Sequence, residues 1–256
     1  MRNLLLAGAS LAAFSLAGVA HAGTFTNGGF ETGDFSGWTQ GGGYWYGGAY
    51  PDPSLSQYQI PGDAVNSITS AGFDPLTNNN VSTVYNGAHA AKVNDSVNNY
   101  SVSQISQTVT NYSDPTIAFA YAAVLQSSHG PTDSDAFIIK LTDLTTNTVV
   151  YQNNVNSATA EAGLFKQGAF YNGSYWYYTD WTPISVAVTA GDDFQLSLLA
   201  NDCPYGGHAG YAYLDGFGAV VPPPGPVPEP GTWALMLAGV GFTGSVMRRQ
   251  RQRALA

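Results

Sequence analysis

The chain is poor in cysteine and in basic residues. Its 256 residues include one cysteine, Cys203, so an intrachain disulfide cannot staple the fold. Residues 23–227 contain three lysines and no arginine, together with all but one of the 17 acidic residues. Surfaces for nucleic acid or other polyanions need a basic patch. This composition therefore excludes nucleic acid as a partner and favours a neutral partner or a bound cation.

Signatures of common enzymes are also absent. The sequence has no H-E-x-x-H, no G-x-S-x-G and no phosphate-binding glycine loop. Asp133 and Asp135 are candidates for an acid and a base, but a polar turn entering a strand explains them more simply. Cys203 and His208 are a candidate nucleophile and base, but a packed or turn-stabilising His208 is the favoured interpretation. We expect a non-catalytic protein; a hydrolase or lyase acting on polysaccharide and a purely structural matrix protein are the alternatives.

The N-terminus has the features of an export signal. Arg2 precedes an apolar stretch at 4–19, and Ala20-His21-Ala22 places small residues at both positions of an A-x-A cleavage site. This pattern predicts a signal peptide at 1–22 and an exported mature chain.

The C-terminus combines three features in a fixed order. Pro228-Glu229-Pro230 closes a proline-rich linker at 222–230, and an uncharged segment at 233–247 is followed by a basic cluster that includes Arg248 and Arg249. The uncharged segment has 15 residues, whereas a membrane-spanning helix needs about 20. A marginal single-pass helix, with the arginines held on the cytoplasmic side, is one interpretation.

The same tail resembles the PEP-CTERM sorting signal of exported bacterial proteins. The resemblance implies that residues 231–256 form a short transmembrane sorting helix with a basic tail. It also implies a transient stay in the inner membrane, processing by an exosortase-type enzyme, and delivery to the cell surface or extracellular matrix.

The region between the two signals has strand periodicity. Apolar residues recur at a spacing of two in several short runs; these runs contain Ile117, Phe119, Tyr121 and Ala123; Phe137, Ile139 and Leu141; Ile184, Val186 and Val188; and Phe194, Leu196 and Leu198. Residues 145–147 and 190–193 are predicted hairpin connections, and 158–165 looks locally helical. The sequence predicts an all-β, antiparallel β-sandwich at 23–221.

The two ends of this region carry a second resemblance. The opening "NGGFETGDFSGWT" and the closing "GYAYLDGFGAVV" resemble jelly-roll domains of the galactose-binding and carbohydrate-binding-module type. The resemblance implies adjacent first and last strands with a structural calcium ion held by Glu31 and Asp215, helped by carbonyl groups at 27–29. Calcium is bound by six to eight oxygen ligands; the alternative is that both carboxylates cap turns.

Two aromatic clusters complete the candidate sites. One contains Trp45, Tyr46 and Tyr50, and the other contains Trp176 and Tyr178, both in Gly- and Asn-rich surroundings typical of loops. Aromatic faces stack on sugar rings, so these residues are candidate contacts to a neutral polysaccharide. The alternative is a hydrophobic lid on the sandwich. Of the two tryptophans, we expect Trp176 to be the more exposed.

Overall fold

A computed structural model describes residues 24–127, 129–159 and 165–218. The predicted signal peptide, the proline-rich linker, the sorting helix and most of the expected helical segment at 158–165 lie outside these ranges. No helix within the described ranges has the length and apolarity needed to cross a membrane.

The described residues form twelve strands joined by short turns and loops. The strands are β1 (Thr39–Tyr44), β2 (Ser67–Ser70), β3 (His89–Val93), β4 (Ser101–Val109), β5 (Thr116–Gln126), β6 (Ala136–Asp143), β7 (Thr148–Asn156), β8 (Lys166–Tyr171), β9 (Ser174–Tyr178), β10 (Thr182–Ala187), β11 (Phe194–Asn201) and β12 (Gly210–Gly218). Short 3-10 helices occupy Ser56–Tyr58, Pro61–Asp63 and Pro75–Thr77, and one helical turn, α1, occupies Ser157–Thr159.

The strands form two antiparallel sheets. The five-stranded sheet has the order β1-β4-β11-β6-β7, and the seven-stranded sheet has the order β2-β3-β12-β5-β9-β8. Strand β10 also belongs to the second sheet, because it pairs with the first half of β5 while β9 pairs with its end. The predicted all-β antiparallel sandwich is confirmed.

The core lies between the two sheets and follows the predicted alternation. Phe137, Ile139 and Leu141 of β6 are buried against Ile117 and Phe119 of β5, within one cluster that both sheets line. Burying such a side chain contributes roughly 1.5–3 kcal/mol of hydrophobic free energy. Because no disulfide is possible, this cluster supplies much of the stability of the fold.

The outer face of the seven-stranded sheet is covered by the segment at 73–82. Tyr211 and Tyr213 of β12 both donate hydrogen bonds to Asp74 Oδ2, at 2.6 and 2.9 Å. The Trp181 indole N–H donates to the Ser82 carbonyl at 2.8 Å. These three bonds fix the segment over a second apolar cluster that contains Trp176.

The outer face of the five-stranded sheet is covered at one end by residues 45–60. Trp45 and Tyr58 pack there on Val102, Ile138 and Leu199. Both sheets therefore bury apolar side chains on two faces, which is why every residue of β5 except Thr116 is buried.

Three predictions about local structure are wrong. The first strand, β1, pairs with β4, and the last strand, β12, lies between β3 and β5 in the other sheet, so the first and last strands are not adjacent. Residues 190–193 do form a turn, but it joins β10 to β11, which belong to different sheets, so it does not close a hairpin. The second aromatic cluster is not a loop, because β8 and β9 form a hairpin there. Its turn is Asn172-Gly173, with φ of 51° and 82°, and both values match the positive φ that tight hairpin turns require. The connection at 145–147 does join the paired strands β6 and β7, as predicted.

Candidate functional site

An open polar groove crosses the uncovered part of the five-stranded sheet. It has a volume of about 450 Å³ and is lined by Gly37, Thr39, Gln40, Gly41, Pro53, Gln59, Gln104, Ser106, Gln107, Thr108, Gln195 and Ser197. We refer to this surface as the polar groove. Its lining consists mainly of side-chain amides and hydroxyls and includes no ionisable side chain.

The strands β4 and β11 form the floor of the groove. Successive side chains of a strand point to opposite faces, and Ile105 of β4 faces the core, so Ser106 and Thr108 face outward. Their cross-strand partners on β11 are Ser197 and Gln195. Gln195 Nε2 donates to Thr108 Oγ1 at 3.1 Å, which orients the amide above the floor.

A loop forms one wall of the groove. Gln59 Nε2 donates to the Pro53 carbonyl at 2.9 Å, and Gln104 Nε2 donates to the Tyr58 carbonyl at 2.7 Å. The loop approaches β1 so closely that a Cβ atom at Gly41 would lie 2.7 Å from the Tyr58 carbonyl oxygen. The glycine-rich sequence of β1 therefore permits the wall to form.

Sequence reasoning missed this groove. The available signal lies in β4, where Gln104, Ser106 and Thr108 are out of phase with the core residues Ile105 and Val109. A row of neutral polar side chains out of phase with the apolar row indicates a solvated sheet face. The wall depends on a contact between distant segments, which the alternation does not reveal.

The structure separates the predicted aromatic contacts into buried and exposed side chains. Trp45, Trp176 and Tyr178 are buried, with Trp176 only 1% exposed and Trp45 2% exposed. The expectation that Trp176 faces solvent is wrong, because the segment at 73–82 covers it. Of the remaining predicted contacts, Tyr46 is 70% exposed, and Tyr50 is half-buried, with its hydroxyl donating to the Ser134 carbonyl at 3.1 Å.

Tyr46 belongs to an aromatic strip that also contains Tyr44 and Tyr100. The ring centroids of Tyr44 and Tyr46 are 6.4 Å apart in a stacked arrangement, and those of Tyr46 and Tyr100 are 5.0 Å apart. Tyr44 is 50% exposed. The strip is thus an exposed aromatic surface at the end of β1.

The predicted calcium ligands both lie against the loop at 85–89. The Glu31 carboxylate accepts hydrogen bonds from the backbone N–H groups of Ala88 and His89, and Asp215 Oδ2 accepts from Tyr85 and Asn86, both at 3.0 Å. Backbone N–H groups that donate to a carboxylate in this way are expected if Glu31 and Asp215 cap turns.

The side chains of the same two residues both lie near Gly29. A Cβ atom at Gly29 would lie 3.6 Å from Asp215 Oδ1 and 3.8 Å from Glu31 Cγ. Burial raises the pKa of Asp215 to about 7, and the charge of Glu31 adds to this effect. Carboxylates are hard-oxygen groups of the kind that calcium prefers, and calcium binding by Glu31 and Asp215 remains a prediction.

The remaining candidates lie elsewhere. Asp135 is completely buried and accepts hydrogen bonds from Ser157 Oγ and the Gln126 N–H, which agrees with the structural interpretation of this residue. Cys203 and His208 lie in the loop between β11 and β12.

The comparisons with known proteins identify the C-terminal tail. Residues 226–252 match the family model described as the PEP-CTERM protein-sorting motif, and this span includes Pro228, Glu229, Pro230, Arg248 and Arg249. The chain thus carries a PEP-CTERM sorting motif, which implies export, sorting to the cell surface and exosortase processing. No curated protein matches the chain.

Among solved structures, the described domain is similar to carbohydrate-binding modules. One, solved with β-1,4-galactotriose, has 15% identity and a TM-score of 0.39, with 76% of this chain and 96% of that chain covered. Another, specific for non-crystalline cellulose, has 13% identity and a TM-score of 0.35, with 77% and 94% covered. A cleaved adhesin domain of Lys-gingipain has 15% identity and a TM-score of 0.32, with 59% and 78% covered.

Proposed function

We propose that this exported protein binds a neutral polysaccharide at the cell surface or in the extracellular matrix, through the polar groove and without cleaving it. The observation that carries the proposal is the lining of the groove by five glutamines and four hydroxyl side chains, with no ionisable group among them.

This lining is complementary to sugar hydroxyls. A sugar hydroxyl both donates and accepts hydrogen bonds, and a glutamine amide offers two donor hydrogens and one acceptor oxygen. A volume of about 450 Å³ falls within the range of ordinary ligand sites. Because the protein is acidic overall, a neutral chain approaches it without the repulsion that an anionic polymer would meet.

The same lining favours binding over catalysis. Glycoside hydrolysis normally uses a pair of carboxyl groups on either side of the scissile bond. Such a pair does not line the polar groove. A polysaccharide held there would meet only groups that orient it.

The exposed aromatic strip offers a second surface for sugar rings. Tyr44 and Tyr46 present exposed ring faces, and such faces stack on the apolar sides of pyranose rings. Tyr46 is the one predicted aromatic contact that is largely exposed, so it is our candidate for a contact outside the groove.

Two further parts of the proposal concern calcium and sorting. Glu31 and Asp215 would hold a structural calcium ion beside Gly29, which would offset the repulsion between the two carboxylates. The C-terminal segment would hold the chain in the inner membrane until an exosortase-type enzyme processes it.

Affinity electrophoresis tests the binding proposal. Full-length protein is run through native gels that contain galactan, mannan, xylan or hydroxyethylcellulose, and its mobility is compared with that in plain gels. We expect retardation on at least one polymer. Gln195→Ala should weaken it about 2- to 10-fold, since a hydrogen bond contributes roughly 0.5–1.5 kcal/mol. Gln167→Ala, at an exposed position on β8 of the other sheet, is the matched control and should bind like the wild type.

The outcomes separate the candidate surfaces. Loss with Gln195→Ala alone supports the groove. Loss with Tyr46→Ala and not with Gln195→Ala would move the site to the aromatic strip. Absence of retardation on every polymer would contradict the proposal and favour a purely structural matrix protein, and shortening of a polymer would favour a hydrolase or lyase.

A further inference from the structure

Three potential metal ligands meet at one end of the sandwich. Nitrogen atoms of His129 and His208 and the sulfur of Cys203 all lie within 4.8 Å of one another. The imidazole ring centroids of the two histidines are 4.4 Å apart. Neither the polar groove nor the predicted calcium site includes any of these residues.

The three residues come from two loops. His129 lies between β5 and β6, and the other two lie between β11 and β12. Cys203 is buried, His208 is half-buried and His129 is exposed. A bound ion would therefore be reached from solvent through His129 and would be anchored in the protein by Cys203.

The second loop is folded around the sulfur atom. The backbone N–H groups of Gly207 and His208 both donate to Cys203 Sγ at 3.2 Å. The Cys203 N–H in turn donates to the His208 carbonyl at 3.0 Å. Donors aimed at sulfur are the outer-shell contacts that orient a metal-bound thiolate.

A glycine allows the two loops to approach. A Cβ atom at Gly207 would lie 2.9 Å from His129 Nε2 and 4.0 Å from Cys203 Sγ. Any larger residue at this position would push the imidazole away from the sulfur. The ring of Tyr205 also packs edge-on against His129, with centroids 5.4 Å apart.

Hydrogen bonds support both loops. Asp202, next to Cys203, accepts from Asn94 Nδ2 at 3.0 Å and from the Ser101 N–H at 3.1 Å. In the other loop, Ser134 donates its hydroxyl proton to the Gly130 carbonyl. Binding sites are most precise when the surrounding contacts fix the ligand residues in this way.

The donor set selects the kind of ion. One thiolate and two imidazoles suit borderline-soft transition metals, whereas calcium and magnesium prefer oxygen ligands. In a tetrahedral zinc site the ligand atoms are about 3.5 Å apart, whereas these three lie within 4.8 Å of one another, so the ligand atoms would have to move together by about 1 Å at most. Three protein ligands leave a fourth position for water or another ligand.

We propose that His129, Cys203 and His208 bind one transition-metal ion of the Zn²⁺ class and that this ion cross-links the β5–β6 and β11–β12 loops. On binding, the Cys203 thiol releases its proton to solvent and the thiolate sulfur coordinates the ion. This site is independent of polysaccharide binding.

Metal titration of the full-length chain tests the proposal. Chelator-treated protein is titrated with Zn²⁺ by calorimetry and with Co²⁺ by absorption spectroscopy. We expect one ion per chain, a thiolate-to-cobalt charge-transfer band, a melting temperature that rises with Zn²⁺, and no competition from excess Ca²⁺.

Variants at two histidines make the test specific. Exposed His129→Ala should fold normally and lose more than about 100-fold in Zn²⁺ affinity, since losing even an outer-shell partner costs about 10- to 100-fold. His89→Ala, at a histidine outside the cluster, should bind like the wild type. Cys203→Ser should abolish the charge-transfer band, and if this buried substitution prevents folding, His129→Ala still decides.

Three results would overturn the proposal. They are absence of saturable Zn²⁺ binding, equal affinity in the His129→Ala variant and the wild type, and Co²⁺ binding without a thiolate band. Any of the three results would mean that the cluster binds no metal. Its residues would then only stabilise the loop, or Cys203 and His208 would act as nucleophile and base.

Discussion

Gln195 and Thr108 face each other across β11 and β4, and the Gln195 amide donates to the Thr108 hydroxyl at 3.1 Å on the floor of the polar groove. This bond fixes which way the amide points. The orientation of one glutamine thus depends on a neighbour that is itself exposed.

Thr108→Val should weaken polysaccharide retention several-fold, because the valine side chain has no acceptor and frees the Gln195 amide to rotate. Thr108→Ser keeps the hydroxyl and should retain binding. Both changes should alter the free energy of unfolding by less than about 0.5 kcal/mol, as exposed substitutions usually do. Affinity electrophoresis and urea denaturation together check this, and equal retention by the Val and Ser variants would show that the hydrogen bond is irrelevant to binding.

Trp176→Ala should destabilise the protein by about 3–5 kcal/mol, because it removes a buried aromatic side chain and leaves a cavity. Tyr175→Ala, at the exposed neighbour, should cost less than about 0.5 kcal/mol. Urea denaturation of the two variants measures the difference. Similar stabilities would contradict the burial of Trp176 under the segment at 73–82.

Asp135→Asn should become more stable relative to the wild type as the pH rises above about 4. Burial raises the pKa of Asp135 well above its ordinary value of 3.8, and the nearby Asp202 adds to this. The folded protein therefore binds this proton more tightly than the unfolded chain, so ionisation in the unfolded chain lowers wild-type stability as the pH rises through this range. The asparagine side chain does not ionise, so the variant lacks this loss of stability.

Denaturant melts between pH 4 and pH 8 measure the difference in free energy of unfolding between Asp135→Asn and the wild type. Asp114→Asn, at an exposed aspartate, is the control. If the stability difference between Asp135→Asn and the wild type does not change with pH, the raised pKa of Asp135 is contradicted.

Calcium added to metal-free protein should raise its melting temperature, because an ion that binds only the folded state stabilises it by mass action. Glu31→Gln should remove this response, and Asp114→Asn should keep it. Thermal melts with calcium and with chelator decide the matter: if the wild type melts at the same temperature in both, Glu31 and Asp215 are turn caps only.

Glu229→Gln should leave export intact and block processing of the tail, because the N-terminal signal is unchanged while the sorting motif is altered. Mass spectrometry of the surface-localised protein measures the C-terminus. If the wild-type protein at the surface still ends at Ala256, the processing proposal fails.

The sequence allowed the sandwich to be predicted because core strands such as β6 alternate clearly, with Phe137, Ile139 and Leu141 on one face. In β5 both faces are buried, and the alternation cannot show what covers the second face. The sequence pattern therefore overestimates the exposure of Trp176, since the segment that covers it lies about 100 residues earlier in the chain. The Asn172-Gly173 hairpin was readable from the sequence.

The functional surfaces were harder to predict than the fold. The polar face of β4 is visible as a pattern, but its wall depends on the contact of Gln59 and Tyr58 with Gly41. Likewise, the sequence places Cys203 near His208. It gives no reason to include His129 in the same site, because His129 lies 74 residues before Cys203. Neither the groove nor the metal-ligand cluster can be predicted without knowing which loops contact each other in the fold.

The most direct test of the central claim is side-chain footprinting of the full-length protein with and without the polysaccharide that retains it. Our account predicts reduced labelling at Gln59, Thr108 and Gln195 and unchanged labelling at Gln167 and Tyr175. Undiminished labelling of the groove residues in the presence of a bound polysaccharide would contradict it.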